Sequence, residues 1–157
     1  MGKDKSIKIR QAIIDDVPII LKFIKELAEY EKLSSSVTAN EALLKETLFG
    51  EKKYAEVIIA EYEGTPAGHA IYFFNFSTFV GKPGIYLEDI YVRPTLRGKG
   101  IGKALFMHLI KIAKDKNLGR VEWAVLNWNK SAIDFYKRLG AIPMEDWIVF
   151  RLTEDKF

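Results

Sequence analysis

One stretch of the sequence, residues 85–105, constrains the fold more than any other. An apolar strand pattern runs there into a glycine-rich turn, and the turn runs into an amphipathic helix pattern. Such a turn exposes backbone N–H groups at a helix start, where the helix dipole adds a partial positive charge. The stretch therefore predicts an anion-binding turn at the junction of a strand and a helix.

Two common phosphate-binding motifs do not fit this turn. A P-loop would require glycine where Arg97 stands and a hydroxyl residue where Ala104 stands. The dinucleotide-binding motif would require glycine at Lys103. What remains is an R-x-x-G-x-G pattern, formed by Arg97, Gly100 and Gly102 directly after a strand.

The bulk composition, 48% hydrophobic and 29% charged, fits one globular domain over residues 1–157. Because the 24 basic residues are spread among 21 acids, we expect no nucleic-acid partner. The chain has no cysteine, which excludes disulfides and a cysteine nucleophile and suits the cytoplasm. No apolar run approaches the roughly 20 residues of a membrane span, so we expect no membrane partner. We expect residues 1–6 to be a disordered polar start, although they also fit the loose N-myristoylation pattern.

Hydrophobic periodicity predicts an alternation of strands and helices. The expected elements are a strand at 8–11, a helix from Asp15 or Asp16 to about 30, a helix opened by a capping box of Thr38 and Glu41, strands at 55–62, 69–76 and from 85, a helix from 101, a strand at 120–126, a helix at 130–139 and a strand at 147–152. The last strand would form a terminal hairpin with residues near 141. This order predicts an α/β fold with a mixed, largely antiparallel sheet flanked by helices.

A second motif, N-x-x-A-x-x-x-Y, is formed by Asn129, Ala132 and Tyr136. Taken alone, Tyr136 could simply pack its ring against the sheet. Together with the R-x-x-G-x-G turn, and in this order, the motif resembles the cofactor-binding motifs of the GCN5-related N-acetyltransferases (GNAT). Residues 25–31, 86–89 and 135–138 resemble its diamine (spermidine/spermine) N-acetyltransferase branch, which includes thialysine acetyltransferases.

The resemblance implies acetyl-coenzyme A as co-substrate, a small primary amine as acceptor, and no metal. Backbone N–H groups of the turn would bind the pyrophosphate, those of the strand before it would hold the thioester carbonyl, and the second motif would meet the pantetheine arm. These cofactor-binding positions are Arg97, Gly98, Lys99, Gly100, Ile101 and Gly102 in the turn, Ile90, Tyr91 and Val92 in the strand, and Asn129 and Ala132 in the second motif.

Acetyl transfer needs a neutral amine, whereas an alkyl ammonium with a pKa of about 10.4 is protonated at neutral pH. Glu88 matches the family position that draws this proton off, through water, and Tyr136 would protonate the leaving thiolate. Strand alternation puts Asp89 on the opposite face from Glu88, so only one of the two should point into the cleft. The alternative for Glu88 is an exposed acid or an ion-pair partner. Without cysteine, the resemblance favours direct transfer in a ternary complex.

Six residues match family positions, or neighbours of them, that contact the amine: Tyr30, Glu31, Glu88, Glu122, Trp123 and Glu145. Plainer alternatives stay open, because Tyr30 and Glu31 end a helix, Glu122 fits a solvent-facing strand position and Glu145 fits a turn. In the polyamine members an acid precedes the Trp-Asn pair, whereas this chain has Asn127. One carboxylate fewer weakens the case for a polycation and keeps a lysine analogue such as thialysine in play.

The resemblance also implies a homodimer in which C-terminal segments meet. Two rival functions remain: an acetyltransferase for another acceptor, such as a protein amine, and a non-catalytic sensor of acyl-coenzyme A. The presence of both Glu88 and Tyr136 argues against the sensor. His69 and His108 match no metal spacing and are expected to be a strand and a helix-face histidine.

Overall fold

The computed structural model describes residues 6–157, so the expectations for the polar start lie outside it except at Ser6. Its helices and strands are β1 (Ile7–Gln11), α1 (Val17–Tyr30), α2 (Glu41–Phe49), β2 (Glu56–Tyr62), β3 (Thr65–Ser77), β4 (Lys82–Val92), α3 (Ile101–Asp115), β5 (Val121–Trp123) and α4 (Lys130–Arg138). The chain divides into two compact units, one that ends at Ala124 and one that spans Val125–Phe157. In the described range, no helix is long and apolar enough to cross a membrane.

The five strands form one sheet in the order β1-β2-β3-β4-β5. The first four are antiparallel neighbours, and β5 runs parallel to β4. This confirms the mixed, largely antiparallel sheet. The strand β3 begins at Thr65, earlier than expected. Ala67 has no partner in the ladder with β2, and this bulge allows Pro66 to lie near the start of the strand.

Helices α1 and α2 pack on one face of the sheet. In α1, Val17 and Ile20 are fully buried, as the helical spacing predicts, and so is Phe23, which that spacing did not include. The core cluster on this face consists of Ala12, Ile20, Leu48, Val57, Ile59 and Ile71. Full burial of a side chain of this kind stabilises the fold by roughly 1.5–3 kcal/mol, so this cluster fixes α1 firmly on the sheet.

The cap of α2 differs from the prediction. The Asn40 side-chain oxygen accepts a hydrogen bond from the Leu43 N–H group at 2.9 Å. The expected capping box of Thr38 and Glu41 is therefore wrong. Asn40 directly precedes the first helical residue and has an extended backbone, with φ of −136°, which is the geometry in which a side chain can cap a helix.

Helix α3 packs on the other face. Its buried side chains are Ile101, Leu105, Phe106 and Leu109. Phe106 meets the ring of Trp123 edge to face, with the centroids 5.0 Å apart. Trp123 pairs with Leu87 and so shares its face of the sheet. The sheet is therefore flanked by helices on both faces, as predicted.

The second unit contains α4, which confirms the expected helix, and Gly140 follows it with φ of +90°. Residues 147–152 form no strand, so the predicted terminal hairpin is wrong. The alternating pattern is real, but alternation gives a strand only where a neighbouring backbone completes the hydrogen-bond ladder. Ile148, Val149 and Phe150 are 77–90% exposed instead. The strand predicted at 120–126 is also shorter, ending at Trp123.

Candidate active site

The glycine turn has the geometry of a backbone anion site. Gly98 and Gly100 have φ of +77° and +85°, a conformation that side-chain-bearing residues rarely adopt. Gly100 is the N-cap of α3 and brings no capping side chain. The first N–H groups of a helix have no partner within it, so those after Gly100 are available to an anion. The structure thus brings the predicted residues 97–102 together in one turn.

The Arg97 side chain reaches away from this row of backbone groups. Its Nε donates a hydrogen bond to the Val92 carbonyl oxygen at 3.0 Å. Its guanidinium lies over the ring of Tyr30, 4.7 Å from the centroid, and 6.0 Å from the ring centroid of Tyr91. Arg97 therefore joins the turn to the last residue of α1.

The upper half of β4, residues 88–92, has a strand neighbour on one side only. The pairs between β4 and β5 are Ile85–Val121, Tyr86–Glu122 and Leu87–Trp123, and β5 ends there. On the β3 side the ladder continues to Val92. In the described chain, Ile90, Tyr91 and Val92 therefore have an edge that no strand covers, and backbone N–H groups along such an edge can hold a carbonyl oxygen.

A β-bulge sits at the start of this uncovered edge. Leu87 pairs with Tyr72 and Asp89 pairs with Ile71, so Glu88 is an extra residue without a cross-strand partner. Tyr72 and Ile71 are successive residues and face opposite sides of the sheet, so Leu87 and Asp89 do too. Glu88 directly follows Leu87 and so points away from the α3 face, to the side where its charge acts on both Tyr86 and Asp89. Glu88 and Asp89 therefore share the α1 face. The expectation that these two acids lie on opposite faces is wrong, because the bulge interrupts the alternation.

Three carboxylates gather on this face. Burial, with the charges of Glu88 and Glu31 in second and third place, raises the pKa of Asp89 to about 6. Burial also raises the pKa of Glu31, the residue after α1. Glu88 is the exposed member. The three acids form a negative site that suits a cation, and Asp89 is the member that strand alternation assigned to the opposite face.

A polar network holds α1 to the end of β4. The Tyr91 hydroxyl donates to Glu26 Oε2 at 2.9 Å, and the Arg93 guanidinium donates to Glu26 at 3.4 Å. Burial and the bond to Glu26 raise the pKa of Tyr91 to about 12. Glu26 was not singled out from the sequence, although its spacing of four residues from Tyr30 places both on one helix face.

The two candidate residues on β5 have structural partners. Glu122 forms an ion pair with Arg120 at 2.9 Å, and Trp123 packs against Phe106. Glu122 is thus an ion-paired strand residue, and Trp123 is a ring packed against α3.

The candidates in the second unit lie on α4 and in a turn. The Asn129 side-chain oxygen accepts from the Ala132 N–H group at 3.4 Å and so caps α4. Tyr136 lies on α4 and is half-buried, with its ring 5.7 Å from that of Phe135. Glu145 is exposed in a turn.

Neither histidine belongs to a metal cluster, since residues 6–157 contain no group of three or more His, Cys, Asp or Glu that could hold a metal ion. His69 lies on β3 and is fully buried beside Phe23, and burial lowers its pKa to about 3. His108 lies on α3, which confirms the expected strand and helix positions.

The acetyltransferase (GNAT) family model matches residues 22–141, and the chain belongs to this family. It is 42% identical to a thialysine N-epsilon-acetyltransferase of Bos taurus, over 92% of this chain and 91% of that protein. It is 31% identical to an L-ornithine N5-acetyltransferase of Arabidopsis thaliana, over 94% of this chain and 85% of that protein. Among solved structures, an integron cassette protein of V. cholerae has a TM-score of 0.78 at 29% identity, over 96% of this chain and 94% of that one.

These relatives confirm the resemblance seen in the sequence. The chain is an N-acetyltransferase, and GNAT acetyltransferases use acetyl-coenzyme A as acetyl donor. The turn and the uncovered edge fit that donor, because both present backbone donors without side chains in the way.

Proposed function

We propose that this enzyme transfers an acetyl group from acetyl-coenzyme A to the side-chain amine of a small amino acid of the lysine or ornithine type, such as thialysine. The observation that carries the proposal is the bulge at Glu88. It gathers Glu88, Asp89 and Glu31 on one face beside the uncovered edge of β4 and the glycine turn. The thialysine and ornithine acetyltransferases to which the chain is similar support an amino-acid acceptor.

The donor-binding roles follow from the backbone. The thioester supplies an activated acetyl group when bound. The N–H groups from Arg97 to Gly102 would take the pyrophosphate, and those of Ile90, Tyr91 and Val92 would take the thioester carbonyl. Asn129 and Ala132 would meet the pantetheine arm. Because the Asn129 oxygen caps α4, a bond to that arm would come from its side-chain nitrogen.

The acid cluster binds and deprotonates the acceptor. An ammonium with a pKa of about 10.4 enters charged, so carboxylates both attract it and lower the cost of holding it. Glu88, the exposed acid, takes the proton through water. Asp89 and Glu31 hold the cation, since Asp89 is charged above about pH 6. The freed amine nitrogen then bonds to the acetyl carbon while the carbon–sulfur bond breaks, and the nitrogen releases its second proton to water as the amide forms.

Tyr136 is the proposed donor of the proton that the departing thiolate takes up. A tyrosine hydroxyl is protonated at neutral pH and is a suitable acid for this step. The chain has no cysteine, so no acetyl-cysteine can form, which supports direct transfer in a ternary complex.

Acceptor choice rests mainly on the first unit. Tyr30 and Glu31 are the proposed contacts, because Tyr30 offers an aromatic face and Glu31 a charge. The partners of Glu122 and Trp123 leave these residues, with Glu145, as weaker candidates. Asn127 in place of an acid favours an amino acid over a polyamine.

The proposal has three further features. Residues 1–157 act as one catalytic domain, as length and composition suggest; the enzyme forms a homodimer, as the resemblance implies; and it acts in the cytoplasm, which the lack of cysteine suits. The exposed apolar side chains near the C-terminus, among them Trp147, Ile148 and Phe150, support an interface between copies.

An amine panel tests the proposed function. Acetyl-coenzyme A would be incubated with the enzyme and thialysine, lysine, ornithine, putrescine or spermidine, and released thiol would be measured with a thiol reagent. Because the chain has no cysteine, the signal comes from coenzyme A alone. We expect the highest kcat/KM with thialysine or ornithine. Acetyl-coenzyme A without amine is the control, and an absence of amine-dependent release would refute the proposal.

A further inference from the structure

We propose that Arg97 is a positioning residue for the acceptor. Its side chain links the glycine turn to Tyr30, so that binding of acetyl-coenzyme A at the turn orders the end of α1 that binds the amine. The inference rests on the proposed function, since it takes the turn as the donor site and Tyr30 as an acceptor contact. It gives the Arg97 side chain a role distinct from that of its backbone N–H group.

The geometry gives the Arg97 side chain two fixed partners. The bond from Nε to the Val92 carbonyl, at 3.0 Å, fixes the base of the guanidinium. The guanidinium then lies over the ring of Tyr30, with its Cζ atom 4.7 Å from the ring centroid, a distance at which a cation attracts an aromatic face. A change in the backbone at Arg97 is therefore transmitted to the Tyr30 ring.

The end of α1 requires such a cation. A helix C-terminus carries a partial negative charge, and the last turn of α1 contains no basic residue. Glu29 and Glu31 add negative charge at that end. Besides Lys32, which follows the C-cap residue Glu31, Arg97 brings a positive charge to this end from outside the helix, so its loss should loosen the segment that carries Tyr30 and Glu31.

A second link one helical turn earlier does not involve the turn. Glu26 is bonded to Tyr91 and Arg93, both of which belong to the end of β4 and its extension. This link holds α1 whatever occupies the turn. The pair of Arg97 and Tyr30, by contrast, joins the donor turn itself to α1.

A double-mutant cycle tests the link. Arg97→Gln keeps an N–H donor but removes the cation, and Tyr30→Leu removes the ring, whereas Tyr30→Phe keeps it. We expect Arg97→Gln to raise the acceptor KM roughly two- to fivefold, with an unchanged KM for acetyl-coenzyme A. The effect should vanish in the Tyr30→Leu background and persist in Tyr30→Phe. Lys52→Gln is the control, because Lys52 lies over the ring of Tyr54, at 5.1 Å, outside the proposed site.

The KM values for the acceptor and for acetyl-coenzyme A also define the outcomes that would contradict the inference. A rise in the KM for acetyl-coenzyme A with an unchanged acceptor KM would make the Arg97 side chain a phosphate ligand. Equal rises in both would mark a distorted turn. Either outcome overturns the positioning role while the amine panel still supports the enzyme, whereas a parent without amine-dependent thiol release would overturn the proposed function itself.

NMR spectra of the protein with 13C-labelled tyrosine test the link without catalysis. The ring signal of Tyr30 is identified by its loss in Tyr30→Phe. Addition of coenzyme A should shift the Tyr30 signal in the parent and much less in Arg97→Gln. Equal shifts in both proteins would contradict the link.

Discussion

The two halves of β4 differ in how many neighbours they have. Residues 85–87 lie between β3 and β5, and Ile85 and Leu87 are at most 1% exposed. In the second half, the unpaired Glu88 is followed by residues 89–92, which pair with β3 alone. One strand thus serves as core in its first half and as a ligand-facing edge in its second. The difference teaches that a strand that continues after one neighbour has ended exposes its backbone groups on that side. Its other neighbour still holds these groups in a rigid position.

The bulge marks the boundary between the halves. Before it, alternation buries Leu87 on the α3 face; after it, Asp89 and Tyr91 face α1. If this division is correct, substitutions in the first half should act on stability and substitutions in the second half on acetyl transfer.

The largest expected effect is on stability. Leu87→Ala should lower the free energy of unfolding by about 3 kcal/mol, because it leaves a cavity in a fully buried site. Urea denaturation measures this loss, and both KM values of the remaining folded enzyme should match those of the parent. A variant of normal stability with a raised acceptor KM would place Leu87 on the ligand side and break the division.

The next effect is on catalysis. Glu88→Gln should lower kcat about 100-fold, the scale expected for removal of a general base, because the amide cannot take up the amine proton. Its free energy of unfolding should stay within about 0.5 kcal/mol of the parent, since Glu88 is exposed and has no cross-strand partner. Both quantities would be measured on the same preparation. A kcat equal to that of the parent would transfer the base role to another group, with Asp89 the first to test.

The smallest effect is a pH dependence of stability. The folded-state pKa of Asp89, about 6, lies above its ordinary value of 3.8, so the stability present at low pH is lost as pH rises from about 4 to 6. Asp89→Asn should remove this loss and make the variant more stable than the parent at pH 7, by about 1 kcal/mol after allowance for solvent screening.

Urea denaturation at several values from pH 4.5 to 7.5 measures the difference between Asp89→Asn and its parent. The exposed residue Asp15 offers a matched control in Asp15→Asn. If the gain of Asp89→Asn did not grow with pH, Asp89 would not be the buried member of the acid cluster.

Much of the fold could be predicted from the sequence because hydrophobic periodicity reports directly on packing. The spacing of Ile20 and its neighbours gave α1, and Gly100 and Gly102 gave the turn before α3. The cap of α2 was misplaced because Thr38 and Asn40 are both good caps, and only the backbone decides between them. The strand at 147–152 was wrong because alternation says nothing about whether a ladder partner exists.

The site was predictable as a set of positions but not as an arrangement. The R-x-x-G-x-G motif identified the turn, because a glycine such as Gly100 is needed where the local backbone has a positive φ. The bulge at Glu88 left no local signal, because an extra residue is visible only in the register with β3. Asp89 was assigned to the wrong face and Glu26 was not singled out for the same reason: their places depend on contacts with residues far away in the sequence.

The bulge at Glu88 also bears on how a reactive side chain can be changed without cost to the fold. A residue without a cross-strand partner can be replaced without breaking a pair, so the sheet tolerates variety at position 88 while its neighbours Leu87 and Asp89 stay in register. A saturation library at this codon would retain folded protein in most of its members. The ladder thus serves as an unchanging frame, so a loss of acetyl transfer in such a library would report on the chemistry at position 88 and not on unfolding.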